Sequence, residues 1–239
     1  MHIDAPTENV QRAPRTLSNS ALLRHKITFY SEPLYEQAHR FWRHPAFPTV
    51  YRTYLCNNHA VIRATVPLMR AAIESLRSPK LADDPVTKPM LRYLEQHAKE
   101  ETGHDEWIVD DARVMGVPRE DVLSFRPSQT VTHIVGAQYY WIHHYHPVAL
   151  LGYIAVMEGE PEAVEFFEDV ARRNDLPIKA FSSMLYHAKI DPIHKADLDR
   201  LLDSLELDDG KTELIGLSAL RTIDYVTDIL RDVNQSAGV

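Results

Sequence analysis

From Ala21 onward the apolar residues of this chain recur at helical spacing, and runs of β-branched residues bounded by turn signals are absent. That pattern argues against a sheet-based core and predicts an all-α fold. Breaks are expected where proline or glycine cluster: near Pro45 and Pro48, from Pro79 to Pro89, from Gly116 to Pro118, at Pro127, from Gly159 to Pro161, from Asn174 to Pro177, and from Asp208 to Gly210. About seven helices fit between them, at 20–44 with a jog at Pro33, then 46–77, 87–115, 129–158, 161–174, 178–206 and 211–234. With only 8 Gly against 15 Pro, no flexible stretch divides the 239 residues. Residues 20–239 therefore read as one compact helical domain. Residues 1–19 are polar and lack a periodic apolar face, so they read as a disordered or loosely docked tail.

Charge narrows the partners. The 26 Lys and Arg against 34 Asp and Glu leave a net charge of −8, so the basic field that gathers nucleic acid or anionic lipid is missing. Neither partner is expected. No run of 18 apolar residues occurs and the N-terminus has no apolar core, which argues against a membrane span and a secretory signal. Cys56, the single cysteine, permits no intrachain disulfide and fits a reducing, cytoplasmic location.

The informative residues are the 13 histidines and the carboxylates beside them. In MLRYLEQHAKEETGHDEWIVDDARVMG, helical geometry puts His97, Glu101 and His104 in one stripe with Met90 and Ile108, with Tyr93, Glu100 and Asp111 at its edge. The core-facing stripe is thus the one that carries acid and imidazole, and such groups must be paired or bind something. Glu101-x-x-His104 has the spacing that lets two side chains of one helix reach one metal, and Gly103 within it leaves room for a ligand or for close helix packing. Alone, an ExxH is ordinary in a chain so rich in His and acids. SSMLYHAKIDPIHKADLDRLL adds His187, Asp191 and His194 at i, i+4 and i+7, three metal-ligand types on one face, with Pro192 expected to strain or loosen the helix beside Asp191. A solvated face beside Lys189 and Lys195 is the plainer account of the same spacing.

Glu158 is a lone acid after the apolar run VALLGYIAVM, either a ligand or a residue at a helix end set by Gly159 and Pro161. His144 lies on its face, but fourteen residues away, about 21 Å at 1.5 Å per residue, which excludes a shared centre. His143, His144 and His146 are expected at the other end of the bundle, around the carbonyl freed by Pro147. Together Glu101, His104, Glu158, His187, Asp191 and His194 offer three carboxylates and three imidazoles. This set exceeds what one ion needs, suits iron or manganese better than structural zinc, and leaves two divalent ions nearly neutralised.

EETGHDEW at 100–107, YIAVMEG around Glu158 and HAKIDPIH at 187–194 resemble the haem-oxygenase-like di-iron oxidases and oxygenases, the iron-containing redox enzymes, over most of residues 20–235. The resemblance implies a single-domain, haem-oxygenase-like bundle without haem that binds two Fe(II) ions. It further implies that dioxygen, as co-substrate, is activated through a peroxo-di-iron(III) species, with outcomes such as amine N-oxygenation or oxidative carbon–carbon cleavage and decarboxylation. His187, Asp191 and His194 match the final motif of that family, His104 its first histidine, and Glu158 its central glutamate, the catalytic carboxylate that bridges or shifts to open a position for dioxygen. The first glutamate stands three or seven residues before that histidine, which here means Glu101 or the position of His97; Glu101 is taken, with Glu100 in reserve. A metal-bearing helix that orders on iron loading is also a property of the family, and Pro192 supplies a local reason.

Other activities on the same fold remain open. A thiaminase-like mechanism needs a Cys nucleophile, for which Cys56 is the one candidate. A cofactor-independent relative would lack the ligand set, and haem would require a proximal His such as His25, which reads more simply as a packing residue. A non-catalytic metal-binding or interaction protein is the alternative of a different class. The expected partners are a small-molecule substrate, an electron donor and a second copy of the chain as homodimer. Tyr139, Tyr140, Trp141 and Trp107 are candidates to line a pocket, although aromatics at helical spacing also build plain core.

Overall fold

The computed structural model describes residues 17–159 and 162–236, and the expected tail lies, apart from residues 17–19, outside them. The described residues form helices and connections without strands. The twelve α-helices are α1 (Asn19–Tyr30), α2 (Glu32–Trp42), α3 (Phe47–Ile62), α4 (Thr65–Leu76), α5 (Thr87–Glu100), α6 (His104–Val114), α7 (Arg119–Ser124), α8 (Gln129–His144), α9 (Leu150–Met157), α10 (Val164–Arg173), α11 (Ser182–Ser204) and α12 (Asp209–Gln235). Four of the seven expected helices are therefore each two helices. The jog near Pro33 is a break at Ser31, with Pro33 in the first turn of α2, where its missing N–H costs nothing. The expected helix at 46–77 divides at Arg63 and Ala64, and that at 129–158 divides at Tyr145, ahead of a 3₁₀ turn from Pro147 to Ala149.

The break in 87–115 matters most. Gly103 has φ +94°, a left-handed conformation that only glycine adopts without strain, and a Cβ there would touch nothing. Gly103 is thus a turn residue between α5 and α6, and the space beside it excludes close helix packing, one of its two expected uses. Glu101 caps the end of α5 and His104 opens α6.

At about 1.5 Å per residue α12 spans roughly 40 Å, and it packs against α9, α2, α8 and α1. Its contact with α9 is close enough that a Cβ on Gly152 would fall 2.2 Å from the Ile215 carbonyl oxygen. The other long helix, α11, packs on α1, α6, α10, α5 and α9, and runs unbroken through Pro192. Both ends of α11 are tied. Buried Asp111 of α6 accepts the backbone N–H groups of Ser182 and Ser183, each at 3.0 Å, and the Ser183 hydroxyl. Those N–H groups have no partner within the helix, so the carboxylate satisfies them and faces the positive end of the helix dipole. At the far end, the Arg24 guanidinium donates to Asp199 at 2.8 Å and to the Ala155 carbonyl at 2.7 Å, Ser20 donates to Asp203, and Asn19 to the Leu202 and Leu205 carbonyls. No helix among the described residues is long and apolar enough to cross a membrane.

Candidate metal centre

Three pieces of chain converge inside the bundle: the α5–α6 joint, the end of α9, and the middle of α11. Their periodicity explains why. On α5 and the joint, His97 and Glu101 share the buried face with Met90 and Leu94, and on α11 Asp191 and His194 share it with Leu198. Glu158 caps the C-terminus of α9, the most apolar helix of the fold, and is itself 8% exposed. All six residues expected from sequence, Glu101, His104, Glu158, His187, Asp191 and His194, lie in this neighbourhood.

Their potential ligand atoms form two clusters that share one residue. His97, Glu101, Glu158 and His194 form the first, and Glu101, His104 and His187 the second, the atoms of each lying within 4.8 Å of one another. Within the first, His97 Nε2 is 2.8 Å from Glu158 Oε1, and His194 Nδ1 is 3.6 Å from Glu158 Oε2 and 3.7 Å from Glu101 Oε1. Within the second, His104 Nδ1 is 3.1 Å from Glu101 Oε2. Asp191 stands next to this second cluster, its carboxylate 2.8 Å from His187 Nδ1. Glu100, the reserve glutamate, is 40% exposed with its carboxylate 3.7 Å from both His97 and His194.

The geometry adds one residue and distinguishes another. His97, set aside in the sequence because the resemblance leads to a glutamate at that position, sits in the first cluster; its place on the stripe with Glu101 and His104 was the signal for it. The residue common to both clusters is Glu101, and Glu158, expected to bridge or to bind the second ion, belongs to one. The joint at Gly103 accounts for this, since Glu101 at the end of α5 faces His104 at the start of α6 on one side and α11 on the other.

The electrostatics match buried groups that lack their proper partners. Burial disfavours the protonated imidazole of His97 and of His187, but the hydrogen bonds and charge of Glu158 and Asp191 respectively outweigh it and raise both. Burial likewise opposes the charge of Glu101, yet His104 and the neighbouring histidines hold its carboxyl below the usual range. For Glu158 burial dominates and raises it, so the buried His97–Glu158 pair holds on to a proton.

Glu101 Oε1, Glu158 Oε2 and His194 Nδ1 are buried without any hydrogen-bond partner. Three such atoms converging on one spot are costly, and each is a metal-ligand atom, so the donor set fits divalent metal held by mixed oxygen and nitrogen ligands. Around it, Tyr93 stacks on His97 at 5.2 Å and Trp107 on His104 at 4.0 Å, with Tyr186 edge-on to Trp107 at 4.4 Å. These rings fix the imidazole planes. A cavity of about 190 Å³ opens against Glu101, Glu158, His187 and Asp191.

Several residues prominent in the sequence lie elsewhere. Tyr139, Tyr140 and Trp141 sit on α8 and do not line that cavity, and Tyr140 is half exposed. His25 is exposed on the solvent face of α1, neither packed nor placed to hold haem. His143 and His144 are exposed, and His146 accepts the Val148 N–H at the start of the 3₁₀ turn, capping a helical end instead of bonding a freed carbonyl. Cys56 is buried on α3, outside the cavity lining, and burial followed by the charge of Asp121 pushes its thiol up.

Comparison with known proteins agrees with this picture. A domain of unknown function with a haem-oxygenase-like fold from Shewanella denitrificans OS217 superposes with a TM-score of 0.78 at 20% identity, covering 94% of this chain and 95% of its own. A TenA homologue from Pseudomonas syringae pv. tomato DC3000 gives 0.73 at 14% identity over 95% and 100% of the two chains, and a TenA homologue from P. horikoshii OT3 gives 0.58 at 12% identity over 92% and 99%. These likenesses establish a haem-oxygenase-like all-α fold. No curated protein shows significant similarity to the sequence. The family model of the iron-containing redox enzymes matches residues 52–225, a span that contains both clusters, and the chain belongs to that family.

Proposed function

We propose that this protein is a non-haem di-iron oxidase or oxygenase that uses dioxygen to oxidise a small molecule in the cytoplasm, by amine N-oxygenation or by oxidative carbon–carbon cleavage or decarboxylation. The observation that carries the reading is the pair of ligand clusters sharing Glu101, with three buried ligand atoms left unpartnered in the first of them. His97, Glu101, Glu158 and His194 would hold one ion, and Glu101, His104 and His187 the other, with Asp191 orienting His187 or joining it as a ligand. Two Fe(II) ions, once bound, supply electrons for dioxygen reduction, and an external electron donor restores them.

The remaining work falls to the protein. Glu101, Glu158 and Asp191 bring three negative charges that offset most of the four positive charges of two ferrous ions. His97 and Glu158 hold a proton between them, which metal binding would release. Trp107, Tyr93 and the apolar face of α9 exclude bulk water. The thiol-nucleophile alternative is disfavoured by Cys56, which is buried, protonated and outside the cavity.

Anaerobic titration tests the reading directly. The chain is expected to take up about two Fe(II), with His104→Ala and His194→Ala each losing about one, because each histidine belongs to only one cluster. One tightly held zinc with no response to iron would overturn it, and ferric iron accumulating beyond two per chain would indicate storage instead.

A further inference from the structure

The rings beside the second cluster continue past it to the surface. Trp107 lies three residues beyond His104 on α6, a spacing that brings side chains of one helix together, and its indole is stacked on the imidazole with centroids 4.0 Å apart and 25° between the planes. The same indole is 6.4 Å from the His187 ring, so it faces both imidazoles of that cluster. Tyr186 of α11 stands edge-on to Trp107 at 4.4 Å and 5.7 Å from His104, and it is 45% exposed. Imidazole, indole and phenol thus form a continuous path from a ligand of the proposed centre to water.

Neither Trp107 nor Tyr186 lines the cavity of about 190 Å³, so a substrate held there would not touch them. Their chemistry points elsewhere. Among ring side chains, indole and phenol give up a single electron most readily, and a phenol does so only where its hydroxyl proton can leave. Tyr93, the ring stacked on His97 of the first cluster, fails that condition, because its hydroxyl is buried with no hydrogen-bond partner. Tyr186, nearly half exposed, can pass its proton to water.

We propose, resting on the di-iron reading above, that Trp107 and Tyr186 form an outlet that carries oxidising equivalents from the centre to the surface when dioxygen reacts there without a substrate. Reduction of dioxygen to two waters takes four electrons and four protons. Two of the electrons come from two Fe(II), which become Fe(III). With no substrate to oxidise, Tyr186 supplies the other two through Trp107, one at a time. Each time, its hydroxyl proton goes to water and the phenoxyl radical takes a hydrogen atom from a soluble thiol, which restores the tyrosine. The two thiyl radicals so formed couple to a disulfide. In net terms one dioxygen, two Fe(II), two thiols and two protons give two waters, two Fe(III) and one disulfide.

The Fe(II)-loaded full chain, prepared anaerobically and without any substrate, is mixed with dioxygen, frozen within the first turnover and examined by electron paramagnetic resonance. The wild type is expected to show a tyrosyl radical that dithiothreitol removes. Tyr186→Phe is expected to shift the signal to a tryptophanyl radical, Trp107→Phe to leave a tyrosyl radical that forms more slowly across the direct gap to His104, and the double variant to lose both. Every substitution keeps a ring in place, so melting temperature and iron uptake are expected to stay unchanged, and a pair with a packing role alone would leave the radical signal unmoved as well. Peptide mass mapping after repeated aerobic oxidation is expected to show a gain of sulfoxide on Met157 and Met184 of the cavity wall in the double variant, where the outlet is closed. No radical in the wild type, a tyrosyl radical that persists in Tyr186→Phe, or methionine oxidation in the double variant equal to that of the wild type would each overturn the proposal. Iron and dioxygen uptake are measured on the same samples. Two bound iron ions that consume dioxygen without a radical defeat the outlet alone, whereas a lack of iron uptake or of dioxygen consumption defeats the di-iron reading and the outlet with it.

Discussion

Two regions of this molecule are equally deep and opposite in character. In one, Phe41, Phe47, Tyr51 and Phe181 are almost fully buried and packed ring against ring, with Tyr51 and Phe181 centroids 4.8 Å apart and the Tyr51 hydroxyl donating to the Ala180 carbonyl at 2.7 Å. In the other, His97, Glu101, Glu158 and His194 are nearly as inaccessible, yet three of their polar atoms bond nothing. The aromatic region is satisfied by the chain itself, and its burial stabilises the fold. The polar region is left unsatisfied by the chain itself. Depth of burial therefore does not separate the two regions, whereas the clustering of unpartnered polar atoms does.

The contrast can be broken by mutation. Phe47→Ala should cost about 3–5 kcal/mol in urea denaturation, the usual loss for an aromatic removed from a tight core. His194→Ala should cost the metal-free protein far less, since its buried nitrogen has no partner to lose. A comparable loss in both variants would erase the distinction. Next in size is the effect of metal: Fe(II) at a hundredfold excess over its dissociation constant should add about 2.7 kcal/mol to the wild type. Glu101→Gln, which touches both clusters, should remove most of that gain and leave the aromatic region's contribution intact.

The smallest effect is a pH slope contributed by the polar region, partly offset by His59 and His146, which burial lowers. His97 and His187 titrate above their ordinary value in the folded state, so their contribution is complete below about pH 6.5 and is lost as pH rises through the folded values. Glu158, raised by burial, adds a loss of the same sign as it ionises, while Glu101, held low, contributes only above the ordinary carboxylate range and is lost in acid. The metal-free protein should thus melt at a lower temperature at pH 8.5 than at pH 6. With Fe(II) the slope should reverse, because metal binds the deprotonated ligands. An unchanged slope on loading would mean that these groups are not the ligands.

Much of this was legible in the sequence, because helical periodicity alone puts His187, Asp191 and His194 on one face and His97, Glu101 and His104 on another. The break at Ser31 was legible as a jog at Pro33, whereas those at Arg63 and Tyr145 were not, although Pro67 and Pro147 follow within a turn; whether a proline ends a helix there is decided by tertiary packing. Gly103 was visible as a glycine, but whether it is tolerated in a helix or required by a turn depends on φ, which only the fold determines. Asp111 was visible at the edge of the α6 stripe, and its role on the N-terminus of α11 required knowing which helix lies opposite. His97 was obscured by the resemblance itself, which leads to an acid at its position.

The anchoring of α11 has a mechanical consequence. Asp111 clamps one end and Arg24, Ser20 and Asn19 clamp the other, so the helix is a beam fixed at both supports with its weakest point, Pro192, near mid-span. A beam held this way does not swing out or detach when it yields; it bows. His187, Asp191 and His194 straddle the point of greatest deflection. A small flexure there would move all three side chains toward or away from Glu101 while the rest of the bundle stays in register.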